Sequence, residues 1–374
     1  MLPRHVLVTV VVSALLGAAV IARAQELEAG VQRAGEPSWG DHAHPERRRA
    51  RQLRRQGLVK LLDAQQADPD SLGPPPEVLF EQALLRFERA RRDLPDDPDL
   101  LYFTGLALAG WFRREPDGRE ERRTEEAVAA FEDLRRADPD YHADRVAFEL
   151  AILHSRRGDH RAAVTEYRRA LDAALLPAAP MPQAMTDREL ALARLFTPVP
   201  LATVHLNLAE NTMMIGDLES AIASYRRASE LSGNDPLGRV LSLWGLALAL
   251  DRSGDHREAL ATARRAIQAD PFAAASTSDV RLGIDRRAHG PMAVLHSRLV
   301  FFEPAYEVHA YDGIGWEALA RSEDAAASRE ELLRRARASW ATYLTGGGNE
   351  GRYAEHATRA AERLDHELAP PRGR

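Results

Sequence analysis

Cysteine is absent from all 374 residues. That excludes disulfides, thiolate-bound zinc, iron–sulfur centres and a lipid-bearing cysteine behind a leader, so the folded chain is held by packing alone. Lysine is nearly absent as well, because Lys60 is the single lysine among 50 basic residues. Together with the abundance of alanine, the arginine excess fits the coding bias of a GC-rich bacterial genome, and it is read as bias before function. Aromatic residues make up only 6% of the chain. Positive net charge is missing too: the formal charge is -6, which leaves no electrostatic footprint for nucleic acid.

One apolar run stands out, from Val6 to Ile21, behind Arg4 and ahead of Ala22-Arg23-Ala24. A positive start, an apolar stretch and a small-x-small flank read as an export signal spanning 1–24, cleaved before Gln25. Its removal takes the charge to -8, since Arg4 and Arg23 leave with it. The alternative is a retained membrane anchor, because the run is only slightly shorter than a spanning helix. Membrane contact is expected only through this segment. The expected location is the periplasm, with secretion or an uncleaved anchor as alternatives.

Three Gly-Asp pairs, Gly158-Asp159, Gly216-Asp217 and Gly254-Asp255, each separate an apolar helical run from an alanine-centred one at the same spacing. Glycine ends the first helix by taking the left-handed conformation, and aspartate caps the next by accepting backbone N–H bonds. In Asp255-His256-Arg257-Glu258 the glutamate completes a capping-box pattern. Ala151, Ala209 and Ala247 on the first helices, and Ala163, Ala221 and Ala259 on the second, are small where antiparallel helices must approach closely. Tyr167 and Tyr225 follow four residues later on the same face and predict a ring filling the gap to the next pair. Weaker copies appear at Leu101 to Pro139, at Ala83 to Pro95 with the helix from Glu46 to Ala67, and at Ile314 to Tyr343.

This pattern resembles the tetratricopeptide repeat, a helix-turn-helix unit of about 34 residues. The resemblance implies an all-α solenoid of stacked antiparallel helix pairs with two irregular insertions. The expected organisation is a signal at 1–24, a flexible linker at 25–45 and N-terminal repeats at 46–175. A proline-rich insertion at 176–200, carrying a Thr186/Glu189 capping box, precedes a tandem repeat pair at 201–271. An irregular insertion at 272–304 is followed by a C-terminal unit with capping helix at 305–368 and a tail at 369–374.

Stacked repeats leave a concave surface lined mainly by first helices, so the resemblance implies a protein or peptide partner bound there by a non-catalytic scaffold of the cell envelope. Counting around the first helices places Tyr102, Ile152, Arg156, Leu206, Glu210, Met213, Trp244, Leu248, Arg252, Asp312 and Trp316 on the outward face, and the resemblance adds Asn207 to the groove. For the aliphatic residues, packing against neighbouring helices is an equal alternative. Asn207 falls where the family's carboxylate clamp places an asparagine, but no lysine is available to complete such a clamp.

Neither cofactor nor metal is implied. Gly346 to Gly351 has the spacing of a dinucleotide loop but follows a helix, so it reads as an interhelical turn. The six arginines from Arg47 to Arg55 read as a solvated helix face, and His42 with His44 as part of the linker. One cluster, Glu303, Tyr306, Glu307, His309, Tyr311 and Asp312, supports an alternative: an envelope enzyme with a repeat docking arm and a site within 272–312. That reading requires Glu303, Glu307, His309 and Asp312 to converge. A membrane-anchored repeat subunit is the other alternative.

Overall fold

The computed structural model describes residues 44–67, 73–114, 120–174, 195, 197–272, 278–279, 283–297, 300, 302 and 304–369. The signal run, nearly all of the linker and the Thr186/Glu189 box lie outside them. The chain divides into two compact units, 1–200 and 201–374. Among the described residues, no helix is long and apolar enough to cross a membrane.

Both units are stacks of antiparallel helix pairs. In the first, α1 (Pro45–Gln66) pairs with α2 (Pro76–Arg91), α3 (Pro98–Gly110) with α4 (Thr124–Ala137), and α5 (Ala143–Arg156) with α6 (His160–Ala173). The residues inserted in the α3–α4 turn extend it into an antiparallel ribbon, β1 (Phe112–Arg114) against β2 (Glu120–Arg122). In the second unit, α7 (Leu201–Met214) pairs with α8 (Leu218–Leu231) and α9 (Pro236–Ser253) with α10 (His256–Gln268). There α11 (Val308–Ala320) pairs with α12 (Ala326–Thr345), and α13 (Ala354–Leu368) closes the stack. Between α10 and α11 the insertion forms a short pair, β3 (Ser278–Asp279) with β4 (Ile284–Asp285), then a helical turn at Arg286–His289 and a 3-10 turn at Gly290–Met292. Most of the Arg298–Phe302 run, expected as a strand or helix start, lies outside the described residues.

The three Gly-Asp turns repeat one geometry. Gly158, Gly216 and Gly254 have φ of 74°, 83° and 98°. Asp159, Asp217 and Asp255 each accept an N–H bond at 3.1 Å, from Ala162, Ser220 and Glu258. Each aspartate N–H in turn reaches the carbonyl five residues back, on His154, Thr212 and Leu250. That bond satisfies one of the carbonyls a helix end leaves orphaned. The box at Asp255 closes only halfway, because the Glu258 carboxylate turns to Arg226 at 3.0 Å.

Close approach of helices sets the core. Alanines 83, 127, 163, 221, 259 and 336 are fully buried, and aromatic rings lie against bare glycine backbone. A Cβ on Gly105 would stand 2.7 Å from the Phe131 ring, and one on Gly313 would stand 2.7 Å from the Trp340 ring. Gly57 meets Phe87 in the same way, and Gly245 on α9 receives Tyr225 from the preceding pair.

Near the C-terminal ends of α9 and α11, two buried carboxylates gather cations. Asp251 accepts from His256 at 2.6 Å and from His356 at 2.8 Å. Glu317 accepts from His256 at 3.0 Å, from Arg363 and from Arg321. Burial alone would raise both carboxyl pKa values, but these hydrogen bonds outweigh it, holding Asp251 far below its usual range and Glu317 at about 2. The same two hydrogen bonds lift His256 to about 9 against the desolvation that opposes them.

Two outcomes follow. Gly245→Ala is expected to lower stability by about 1–3 kcal/mol through overpacking against Tyr225, read by denaturant titration. His256 contributes stability that is complete below about pH 6.5, its unfolded pKa, and fades as pH rises towards 9. Asp251 and Glu317 contribute above their unfolded values and lose that contribution on strong acidification. Melting temperature should therefore fall between about pH 6.5 and 9, and His256→Ala should flatten that fall; parallel profiles for the two proteins would refute the assignment.

Candidate functional site

First helices lie side by side within each unit, α1 with α3 and α5, and α7 with α9 and α11. Of the residues expected to face outward on them, the structure leaves Arg156 and Glu210 exposed and Asn207 half-buried. Arg156 also donates to the Ala109 carbonyl at 3.2 Å. Protein crowding around the Glu210 carboxyl raises its pKa, while its exposed surface keeps it within reach of a partner.

Six others are corrected from outward to buried: Tyr102, Met213, Trp244, Arg252, Asp312 and Trp316. Leu248 is buried with them, whereas Ile152 and Leu206 are half-buried. The physical reason is that these faces are already covered by the protein's own segments. A helical wheel reports which side turns from the paired helix; it carries no information on what a distant stretch of chain lays over that side.

In unit 2 the cover is the stretch Gly290–Ser297. Met292, Val294 and Leu295 join the same apolar core as Trp244 and Trp316. A Cβ on Gly315 would stand 2.9 Å from the Met292 sulfur and 3.0 Å from the Trp244 ring. Arg286 anchors the stretch to the end of α10 through Asp270 at 2.7 Å. His296 anchors it to α11, its Nε2 lying 2.9 Å from both Asp312 carboxylate oxygens. His289 stacks on His296 with ring centroids 3.7 Å apart. Burial pushes the Asp312 carboxyl up, but the bonds from His296 and His309 prevail and leave it below its ordinary value.

Arg252 is enclosed by a different set. Its side chain is inaccessible, pairs with Glu307 at 2.8 Å and lies 3.7 Å over the Tyr353 ring. Tyr343 also donates to Glu307, at 3.3 Å. The Tyr353 hydroxyl donates to the Met213 carbonyl, and Met213 is buried in the unit 2 core. The cluster required by the enzyme alternative therefore divides: Glu307 belongs to Arg252, His309 and Asp312 belong to His296, and Glu303 lies outside the described residues.

In unit 1, among the described residues, Leu195 and Thr197 contact α3 and α5. The Tyr102 hydroxyl, on α3, donates to the Leu195 carbonyl at 2.8 Å, and the Leu195 side chain enters the unit 1 core. Arg145 on α5 points a guanidinium N–H at the Thr197 carbonyl at 3.5 Å and binds Glu149 at 3.3 Å. Burial raises the Tyr102 pKa far above its usual value, so its hydroxyl remains a donor at any physiological pH. Tyr141 and His142 flank the ring at 5.9 and 5.7 Å, with His142 in the left-handed region at φ 45°. Arg145 and His296 were missed from sequence. Their only signal was that apolar residues in the insertions, Leu195, Met292, Val294 and Leu295, needed a surface to bury against.

Because Trp244 is core, it reports on folding and not on partner contact. Its indole N–H has no hydrogen-bond partner among the described residues, so packing is its whole contribution. Trp244→Ala is expected to cost about 3–5 kcal/mol by chemical denaturation; a stable, well-folded variant would restore it to the list of surface residues.

A family model described as tetratricopeptide repeat matches residues 200–271. A comparison with curated proteins finds no match. Among solved structures, the chain is similar to MamA residues 41-end from Desulfovibrio magneticus RS-1, with TM-score 0.43, 16% identity, and coverage of 61% of this chain and 98% of that one. It is also similar to YrrB, described as a TPR protein with an unusual peptide-binding site, with TM-score 0.40, 13% identity, and coverage of 70% and 96%. A second MamA structure gives TM-score 0.39, 13% identity, and coverage of 54% and 87%. These likenesses are loose, and what those proteins bind does not transfer to this chain. The matched segment is α7 to α10, where two of the three Gly-Asp turns and the Tyr225–Gly245 contact lie, and it is this segment that matches the tetratricopeptide repeat.

Proposed function

We propose that this protein is a non-catalytic interaction scaffold of the bacterial cell envelope that binds a partner peptide or helix on its first-helix faces. The observation that carries the reading is chemical: Tyr102, a first-helix side chain, bonds the main-chain carbonyl of a segment lying outside the helix pairs. A hydroxyl donor that bonds a main-chain carbonyl asks nothing of the side-chain sequence, which suits a peptide or helical partner of varied sequence. On the second unit, Asn207 and Glu210 remain accessible beside one another on α7. An exposed carboxylate held in a crowded site gains most from a cationic partner group, so a basic side chain is the expected contact there.

The envelope assignment is supported by the sequence alone, through the Val6 to Ile21 run and its Ala-Arg-Ala flank. The absence of cysteine is compatible with it and independent of redox state.

Photo-crosslinking side chains placed at positions 207 and 210 should capture one partner saturably in native envelopes, whereas a probe at buried Val240 should capture none. Glu210→Arg should weaken that complex about tenfold, or ~1.4 kcal/mol, with melting unchanged. Failure of both crosslinks would refute the binding face. A native chain that begins before Gln25 and fractionates with cytosol would refute the location.

A further inference from the structure

Three histidines border the stretch that covers Trp244 and Trp316. His289 ends the helical turn Arg286–His289. Gly290 follows it with φ 56° and lays bare main chain on Trp316, where a Cβ would stand 2.8 Å from the indole. The His289 and His296 rings stack with centroids 3.7 Å apart and planes 11° from parallel, and His309 lies 6.4 Å from His296. One carboxylate serves this group: Asp312 meets His296 Nε2 at 2.9 Å with both oxygens and lies 3.6 Å from His309 Nδ1. The other charges around His289 are already engaged. Asp285 accepts the Arg287 and Ala288 N–H groups at 2.9 and 3.2 Å, and Arg286 is paired with Asp270. Arg335 of α12, lying over the Trp316 ring, binds Glu331. Arg287 is exposed and adds a further positive charge.

Two stacked imidazoles cannot both be cations at that separation without strong repulsion. Asp312 stays ionised in mild acid, but it lies against His296 and His309. A charge on His289 therefore has no carboxylate of its own. We propose that the His289–His296 stack is an acid-sensitive latch on the Gly290–Ser297 cover: a proton taken from solvent by His289 breaks the stack, and the cover lifts more often from Trp244 and Trp316. Burial first, and then the neighbouring His296, hold the His289 pKa below its ordinary value in the closed form. In the lifted form it titrates near about 6.5. The lifted form thus binds more protons, so acidification favours it. The direction is opposite to that of His256, whose contribution is lost as pH rises. Met292, Val294 and Leu295 are completely buried, so the lifted form is a minority at either pH, and only its population changes.

Hydrogen exchange of the full chain reads that minority directly. The Ala293, Leu295 and Ser297 N–H groups donate to the Gly290, Met292 and Val294 carbonyls at 3.2, 2.9 and 3.3 Å. Corrected for intrinsic exchange, their opening should rise several-fold from pH 7 to pH 5, with a ceiling of roughly 25-fold for one proton bound at an open-state pKa of about 6.5. Amides of α9 should keep their protection. His289→Phe keeps a flat ring that cannot be charged and should make opening equal at both pH values. Should that variant fail to fold, His289→Gln takes its place with the same expectation. Unchanged opening in the unaltered chain would overturn the latch. So would a rise that persists without His289, or an equal loss of protection in α9, which would mark acid loosening of the whole unit.

Discussion

Helices in this protein approach one another so closely that an aromatic ring lies on main chain lacking a Cβ, and the stacks depend on that contact. Gly105 under Phe131 and Gly313 under Trp340 join the helices of one pair; Gly245 under Tyr225 joins one pair to the next. With no disulfide available, this packing carries the burden that cross-links carry in many small exported domains. Alanine at the remaining crossing points keeps the same spacing without a ring.

Close stacking fixes where first helices lie, and the faces they share would be apolar if left bare. The insertions answer that. Trp244 and Trp316 are covered by Met292, Val294 and Leu295, and the covering stretch is tied down by the Arg286–Asp270 ion pair and the His296–Asp312 hydrogen bond. The Tyr102 hydroxyl bonds the Leu195 carbonyl, and the Leu195 side chain enters the unit 1 core.

Charge is organised around burial in the same unit. Asp251 and Glu317 are buried near the ends of α9 and α11 and remain ionised because histidines and arginines from α10 and α13 reach them. A buried carboxylate without such partners would take up a proton. The capping helix α13 therefore does more than shield the last pair: His356 and Arg363 connect it to two first helices, and Tyr353 connects it to a third. Its outer side carries Glu355, Arg359 and Glu362 to solvent, as a terminal element requires.

By itself, the sequence determined the hairpins. Gly-Asp spacing, alanine placement and terminal prolines act over distances shorter than two helices, so helix pairs, their turns, the left-handed glycines and the closing helix were all legible. Tertiary structure alone decided the surface. Tyr102, Met213, Trp244, Arg252, Asp312 and Trp316 were placed outward by helical periodicity, which knows only the side facing the paired helix. Their burial comes from residues 16 to 140 positions away in the chain, such as His296 on Asp312, Leu195 at Tyr102, Met292 beside Trp244 and Tyr353 bonded to Met213. No local period encodes a contact of that range, because it depends on where two irregular segments and a capping helix come to rest.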